Sequence, residues 1–479
     1  MPLRRRRRLL RHRRNARDRR VADTGYRMTA GPPTSQTQYL YTRWNFVIIA
    51  LDVSFFVTGM SFLDPVAVLP VLVQKLNGSE LMVGAMGALQ RAGWIIPQLI
   101  GASFVLHRSR KKPFVVIPCL ISRIPFIGLS LAFWFVPPGS HLQTLLFLLI
   151  GVYTLFFFAD GICGVPWHDI IARTIPPNLR GRFFGSINIV AGLLAIGAGA
   201  VVRRVLADPS LPFPHNYGRL FMFLCICMGL SMIFILLIKE PPGSALQEPH
   251  SLLRLVRAIP GTLRRHPLLR RVIIAQNLLG FSSLVIPFYA VYGYSRLGLS
   301  ESMGGVFIWA GVAGSTSASL MWAYLNDHKG PLTVLRGIAV ASLFPPLAAI
   351  AIPPLVGTFG AAADLRYAYC AVFLLNGIAM SGGWMGITNY VFEIAPGDIR
   401  PLFLGLASTL SAPVVLMPLI GGWLLGFIAY QTLFAISLAG GVIGLCYIYT
   451  LERPRRPAPE PSAVGEAVAA SPRARPTLD

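Results

Sequence analysis

The sequence predicts an all-α protein that crosses a membrane many times. Composition, a series of long apolar runs and an internal repeat carry this prediction. Of the 479 residues, 54% are hydrophobic and 13% are charged, and the mean hydropathy is +0.60. Ordinary soluble domains have about 45–50% apolar and about 25% charged residues. The apolar excess extends from residue 45 to residue 451, which excludes a soluble domain and also a soluble enzyme on one membrane anchor.

Twelve apolar runs follow one another, and each is long enough to span a bilayer as a helix. They are 45–74, 81–106, 114–136, 142–171, 183–206, 219–239, 272–293, 301–326, 332–355, 367–395, 402–429 and 431–451. A Pro-rich and basic stretch at 240–271 separates the first six from the last six. We therefore predict five regions: a basic disordered tail (1–44), a six-helix bundle (45–239), a cytoplasmic linker (240–271), a second six-helix bundle (272–451) and a disordered tail (452–479).

The distribution of Lys and Arg predicts the orientation, because these residues accumulate in cytoplasmic loops. With the N-terminus in the cytoplasm, 35 of the 43 basic residues lie on the cytoplasmic side and six on the other. Twelve of the 35 are arginines within residues 1–27, where Met28 is an alternative start. We interpret this tail as a solvated segment near anionic lipids rather than a nucleic-acid-binding arm. The expectation is a monomer in the cell (inner) membrane, with both termini cytoplasmic and the bilayer as its surroundings.

The two halves of the chain repeat each other at a nearly constant offset. Residues 176–185, from Pro176 to Gly185 with Arg180 between them, align with 396–405 at an offset of 220. Ser79, Glu80, Met82 and Gly84 align with Ser300, Glu301, Met303 and Gly305 at an offset of 221. Both matches fall at the same positions of each six-helix half, as expected for a structural repeat.

On these features the sequence resembles the major facilitator superfamily over roughly residues 45–451. The resemblance implies twelve transmembrane helices in two pseudo-symmetric six-helix bundles. The family motif of the loops after spans two and eight, Gly-x-x-x-Asp-Arg-x-Gly-Arg-Arg, is partly present here. The second loop keeps the acid and the inner glycine, whereas His107 stands at the acidic position of the first. We expect structural or gating roles, rather than substrate contacts, for Arg108, Arg110, Lys111, Asp327, Gly330, Arg180 and Arg400.

Charged and amide side chains within the apolar runs are candidates for a binding site, because such groups avoid lipid. At about 1.5 Å per residue, the depth of Asp64 matches that of Arg91, and the depth of Arg123 matches that of Asp160. Each pair is either a structural ion pair or a functional one. The resemblance further implies that spans one, four, seven and ten line a central cavity. Our cavity candidates are Asp64, Asp160, Trp167, Asn277, Asn376, Trp384 and Asn389, although each alone is also compatible with packing.

The function predicted from these observations is secondary transport of a small molecule by alternating access. Proton coupling and facilitated diffusion both fit the intramembrane carboxylates. A transporter fold that serves as a receptor or scaffold is the second hypothesis. An enzyme is not expected, because the sequence has neither a Walker loop nor HExxH or GxSxG motifs. No cofactor or metal is expected either, because Cys225 and Cys227 have no partners at zinc-site spacing. The sequence does not identify the substrate or the direction of transport.

Overall fold

The computed structural model describes residues 41–105, 110–241, 260–359, 367–395 and 400–452. Within these ranges the regular structure is helical, without strands. Most of the predicted tails and of the predicted linker lies outside the described residues. We number the spans in chain order: Thr42–Ser61 with Leu69–Lys75 (span 1), Glu80–Val105 (span 2), Pro113–Phe135 (span 3), Leu142–Thr174 (span 4), Pro177–Ala207 (span 5), His215–Leu237 (span 6), Pro267–Leu279 with Phe288–Ser295 (span 7), Met303–Lys329 (span 8), Pro331–Ala341 with Phe344–Phe359 (span 9), Cys370–Ser381 with Gly383–Ile394 (span 10), Arg400–Leu410 with Met417–Leu424 (span 11) and Tyr430–Tyr449 (span 12).

Eleven of these spans have both the length and the apolar composition needed to cross a membrane. Span 2 is the remaining one, and its 26 residues give it a length of about 39 Å, enough to cross the hydrocarbon core. It carries Glu80, Gln90, Arg91 and Gln98, and it packs mainly against spans 4 and 11. Its polar residues therefore lie on a helix that is largely surrounded by protein, and span 2 completes the twelve helices that the sequence predicted.

The helix packing repeats between the two halves. Spans 2 and 4 pack together in the first half, as spans 8 and 10 do in the second. Spans 3 and 6 likewise correspond to spans 9 and 12. Across the halves, span 2 packs against span 11 and span 8 packs against span 5, so exchanging the halves maps one contact onto the other. This arrangement is the pseudo-two-fold symmetry that the repeat predicted.

Spans 1 and 7 are interrupted at equivalent prolines. Pro65 lies between Thr42–Ser61 and Leu69–Lys75, and Pro287 lies directly before Phe288–Ser295. Proline cannot donate a backbone hydrogen bond, and it disfavours helical geometry in the residue before it. In span 1, Asp64 Oδ1 accepts the backbone N–H groups of Val66 at 2.9 Å and Ala67 at 2.7 Å. This carboxylate thus satisfies donors that the interruption frees, and the chain continues as a second helical segment.

Glycines at the repeated positions allow the two halves to approach closely. A Cβ atom on Gly84 would lie 2.2 Å from the Pro418 carbonyl oxygen of span 11, and one on Gly305 would lie 2.2 Å from the Gly199 carbonyl oxygen of span 5. Any side chain at either glycine would force the halves apart. A glycine at this position of the repeat is therefore required for packing in both halves.

Candidate functional site

A cavity of about 640 Å³ lies between the two halves at the level of the interrupted helices. Its wall comes from spans 1, 2, 7, 9, 10 and 11, and it includes both Pro65 and Pro287. Apolar side chains make up most of the lining, with polar groups at a few places. This size and this lining are typical of sites that bind small organic molecules.

One face of span 2 supplies the contribution of the first half. Gly87, Gln90, Arg91 and Trp94 all line the cavity, and their spacing of i, i+3, i+4 and i+7 places them on one side of a helix. Arg91 carries the single charge among the lining residues. Within the described part of the chain, Arg91 forms no ion pair, and no neighbouring carboxylate acts on its charge. Arg91 therefore places a positive charge on the cavity wall.

The second half supplies hydrogen-bonding groups without charge. Gln276 and Ser283 of span 7 and Asn376 of span 10 line the cavity, together with Ser342 and Ser411. The Gln276 Oε1 atom is buried and has no hydrogen-bond partner. Buried amide atoms are normally paired, so an unpaired one beside a cavity is available to a bound molecule.

The cavity is closed on the face opposite residue 42 by contacts between the halves. The Lys75 ammonium pairs with the Glu301 carboxylate, and Tyr217 donates a hydrogen bond of 3.3 Å to the same carboxylate. At the equivalent place, Tyr430 donates to Glu80 Oε1 at 2.7 Å. Glu80 and Glu301 are repeat equivalents at the start of spans 2 and 8, and the two tyrosines lie at the start of spans 6 and 12. The contacts that close this face are therefore related by the pseudo-two-fold symmetry of the two halves.

A second group of charges is buried inside the first half, away from the cavity lining. Asp52 of span 1 accepts hydrogen bonds from Ser231 of span 6 and, at 3.4 Å, from Trp167 Nε1 of span 4. Arg123 of span 3 lies within electrostatic range of both Asp52 and Asp160. The guanidinium also donates to the Met228 carbonyl at 3.3 Å, while its Nε atom has no partner. We call Asp52, Arg123 and Asp160 the buried triad.

The predicted cavity candidates occupy several different places. Asn376 lines the cavity, Asp64 directly precedes the lining residue Pro65, and Arg91 lines the cavity without contacting Asp64. Asp160 and Trp167 lie at the buried triad instead. The expected Arg123–Asp160 pair is electrostatic, without an ion-pair contact within 4.0 Å.

Three further candidates lie outside the lining. Asn277 donates to the carbonyls of Ile273 at 2.8 Å and Leu410 at 3.0 Å, so it joins spans 7 and 11. Asn389 donates to Asn326 at 3.1 Å near the end of span 8. The side chain of Trp384 is not among those that the structure describes.

The predicted gating residues that the structure describes lie near helix ends. Arg180 donates to the carbonyls of Ile175 and Ala172, at the end of span 4. Gly330 has a positive φ of 83° between spans 8 and 9, and Asp327 accepts a hydrogen bond of 3.3 Å from neighbouring Asn326. Arg110 is exposed. Arg108 and the side chain of Arg400 lie outside what the structure describes.

The basic end of the loop between spans 2 and 3 docks on the end of span 6. Glu240 accepts the backbone N–H groups of Lys111 at 2.5 Å and Lys112 at 3.0 Å. The Lys112 ammonium donates to the carbonyls of Leu236 and Ile238, where a positive charge stabilises a helix C-terminus. Burial lowers the pKa of Lys112, and the Glu240 carboxylate opposes this shift.

One group of side chains has a donor set that could hold a metal ion. Cys119, Asp160 and Cys163 place their ligand atoms within 4.8 Å of one another, and the two sulfur atoms are 3.3 Å apart. Sequence spacing did not indicate this group, because Cys119 and Cys163 come from spans 3 and 4. Arg123 acts electrostatically on Cys163 as well as on Asp160, and a neighbouring guanidinium disfavours a bound cation.

Several lining residues were not among the predicted candidates: Gln90, Trp94, Gln276 and Tyr289. A signal for span 2 was present in the sequence, because Gln90 and Arg91 are polar residues within an apolar run, and Gly87 and Trp94 share their helix face. Asp52 was visible as an intramembrane charge, but nothing in the sequence connected it with Ser231 or Trp167.

Comparison with known proteins identifies the fold. No protein-family model and no curated protein matches the sequence. Solved structures do match: the D-xylose-proton symporter superposes with a TM-score of 0.63 at 14% identity, over 86% of this chain and 98% of that one. A bacterial homologue of the iron transporter ferroportin in an inward-facing state gives 0.63 at 14% identity, over 85% and 98%. Nucleoside transporter NupG gives 0.62 at 15% identity, over 85% and 99%.

The chain has the major facilitator fold. Identities of this size establish the fold alone, and with the apolar spans they make the protein a multi-pass membrane protein. The fold predicted from the repeat and the six-plus-six layout is therefore confirmed.

Proposed function

We propose that this protein is a secondary transporter that carries a small molecule across the membrane by alternating access. The observation that carries the proposal is a cavity between two pseudo-symmetric halves that is closed on one face by contacts between those halves. In a transporter of this kind, each half moves largely as a rigid body, and the cavity opens to one side at a time. The solved structures of the same fold are transporters by their names, which supports the proposal.

The orientation belongs to the same proposal. Short loops with excess Lys and Arg favour a cytoplasmic N-terminus in the cell membrane. The face closed by Lys75, Glu301, Glu80 and Tyr430 is then the external face. Within the described residues, the hydrogen bonds and ion pairs that join the two halves all lie toward this face. The described conformation accordingly corresponds to one that is closed to the outside.

The proposal also includes coupling of transport to protons through the buried triad. Two carboxylates share one guanidinium inside the first half, where a full set of charges is costly. A movement of span 1, 3, 4 or 6 would change these electrostatic interactions, and with them the affinity for a proton. This arrangement supports coupling between protonation and the position of the helices.

Flux through proteoliposomes tests the proposal. Liposomes with the purified protein are incubated with a defined mixture of isotopically labelled carboxylates, sugars, nucleosides and amino acids, and the internal contents are measured. Transport predicts protein-dependent, saturable uptake of at least one class, compared with liposomes without protein. The second hypothesis, a receptor or scaffold, predicts binding without uptake of any class.

A further inference from the structure

The unpaired charge of Arg91 identifies the class of molecule that the cavity accepts. We propose that the cavity binds a monovalent organic anion, with its carboxylate on Arg91 and its apolar body against the surrounding wall. This inference rests on the proposed function, since it names the substrate class of the same cavity. It does not depend on whether transport is coupled to protons.

Arg91 is placed as an anion ligand rather than as half of a structural ion pair. It lies near the middle of span 2, 11 residues after Glu80, where the helix begins. The acid at matching depth, Asp64, instead accepts the backbone N–H groups of Val66 and Ala67. Charges within a bilayer are normally paired or face a wet cavity. A guanidinium with no acid beside it, at the wall of a cavity, can form two parallel hydrogen bonds with a carboxylate.

The charges of the lining residues favour a ligand that carries one negative charge. The lining residues include one cation and no carboxylate. A monovalent anion makes the occupied cavity neutral, whereas a divalent group such as a phosphate monoester would leave one uncompensated charge in a medium of low dielectric constant. A carboxylate is therefore favoured over a phosphate. A neutral or cationic substrate would leave Arg91 unpaired.

The remaining lining residues indicate the chemical character of the rest of the ligand. Trp94, Ile286, Met380 and Val415 provide apolar surface, while Gln276 and Asn376 of the second half offer amide groups. The volume of about 640 Å³ lies within the range of sites for drug-sized molecules. The predicted occupant is an aromatic or aliphatic carboxylic acid with one or two additional hydrogen-bonding groups.

Ligand-induced thermal stabilisation in nanodiscs tests this inference with matched probes. The probes are 3-phenylpropionate and indole-3-acetate, the amide and the amine of the same carbon skeletons, and phenylphosphonate, all at about pH 8.5, where the phosphonate is a dianion. The proteins are wild type, Arg91→Gln, Arg91→Lys and Arg204→Gln. Arg204 is a matched control, because it is an exposed arginine of span 5 outside the cavity lining.

We expect both carboxylates to raise the unfolding midpoint of wild type and of Arg204→Gln, because a ligand that binds only the folded state stabilises it. The amides, the amines and the dianion should bind at least tenfold more weakly. Arg91→Gln should lose at least tenfold in affinity for the carboxylates, and Arg91→Lys should lose less. The comparison of probes on wild type needs no variant, so it stands even if Arg91→Gln does not fold.

Three results would overturn the inference. These are no stabilisation by either carboxylate, equal stabilisation by the amides or amines, and unchanged carboxylate binding in Arg91→Gln. The flux assay separates this inference from the proposed function. Binding of carboxylates without uptake would contradict transport and leave the anion site standing, whereas uptake of only neutral or cationic solutes would contradict the anion site and leave transport standing.

Discussion

The depth of a side chain along its span does not predict which contacts it makes in this protein. Asp64 and Arg91 have matching depths, yet Asp64 caps the interrupted end of span 1 while Arg91 lines the cavity. Asn277 and Gln276 are neighbours in sequence, but about 100° of helical rotation separates them. Gln276 therefore lines the cavity, and Asn277 bonds to span 11. Height along a helix can be read from sequence, whereas the direction of each side chain depends on the packing of its neighbours.

The cap at Asp64 leads to a prediction about stability. Asp64→Ala removes the acceptor for two backbone N–H groups, and we expect it to cost about 1 kcal/mol of folding free energy. Asp64→Asn keeps a carbonyl oxygen at the same place and should cost clearly less. Thermal unfolding of both variants in the same detergent measures the difference. If Asn is as damaging as Ala, the charge of Asp64 matters and its role extends beyond capping.

The buried triad leads to a prediction about coupling. Asp160→Asn keeps the shape of the side chain but cannot exchange a proton. If the triad couples transport to protons, accumulation of substrate driven by a pH gradient should fail in this variant, while exchange of substrate down its own gradient persists. Asp64→Asn, which changes a cap outside the triad, should keep pH-driven accumulation. Intact pH-driven accumulation in both Asp160→Asn and Asp52→Asn would make the triad a structural group.

At the scale of helices, close contacts between glycines hold the two halves together. Gly199 of span 5 faces span 8, where an added Cβ would lie 2.7 Å from the Trp309 ring and 2.9 Å from the Gly305 carbonyl oxygen. At Gly197, two residues earlier on the same helix, an added Cβ meets nothing within 4 Å among the described residues. The contrast arises because small residues matter only on the side of a helix that touches another helix.

This contrast predicts different effects for two neighbouring substitutions. Gly199→Val should weaken the closed face, because the spans must separate to accommodate the side chain. In a background without native cysteines, the opening should raise the reactivity of a cysteine placed at half-buried Ser302, next to Glu301, toward a membrane-impermeant thiol reagent several-fold. Gly197→Val should leave this reactivity unchanged. Equal effects of the two substitutions would show that any larger side chain on span 5 opens the closed face. The specific contact of Gly199 with span 8 would then not explain the effect.

For the molecule as a whole, the sequence was sufficient for the number of spans, the repeat and the fold, because composition and periodicity report directly on the bilayer. The symmetric closure was only partly predictable. Glu80 and Glu301 could be recognised as repeat equivalents, but their partners Tyr430 and Tyr217 come from spans that are distant in sequence. The cavity was the least predictable feature, because span 2 contributes a full face to it while span 4 is absent from its lining among the described residues. Contacts between halves depend on tertiary packing, which no local pattern encodes.

The central claim, alternating access by movement of the halves, is tested most directly by the distance across the closed face. Spin labels at Ser79 and Ser300, two exposed and repeat-equivalent positions, report this distance by pulsed electron resonance in nanodiscs, in a background without native cysteines. The account predicts a short distance for the closed form and a second, longer one for the open form. Lys75→Glu places two acids together at Glu301 and should increase the longer population several-fold, since about 1 kcal/mol changes such an equilibrium about fivefold. Lys75→Glu combined with Glu301→Lys restores opposite charges and should reverse the change. A single distance that is identical in all three proteins would contradict alternating access.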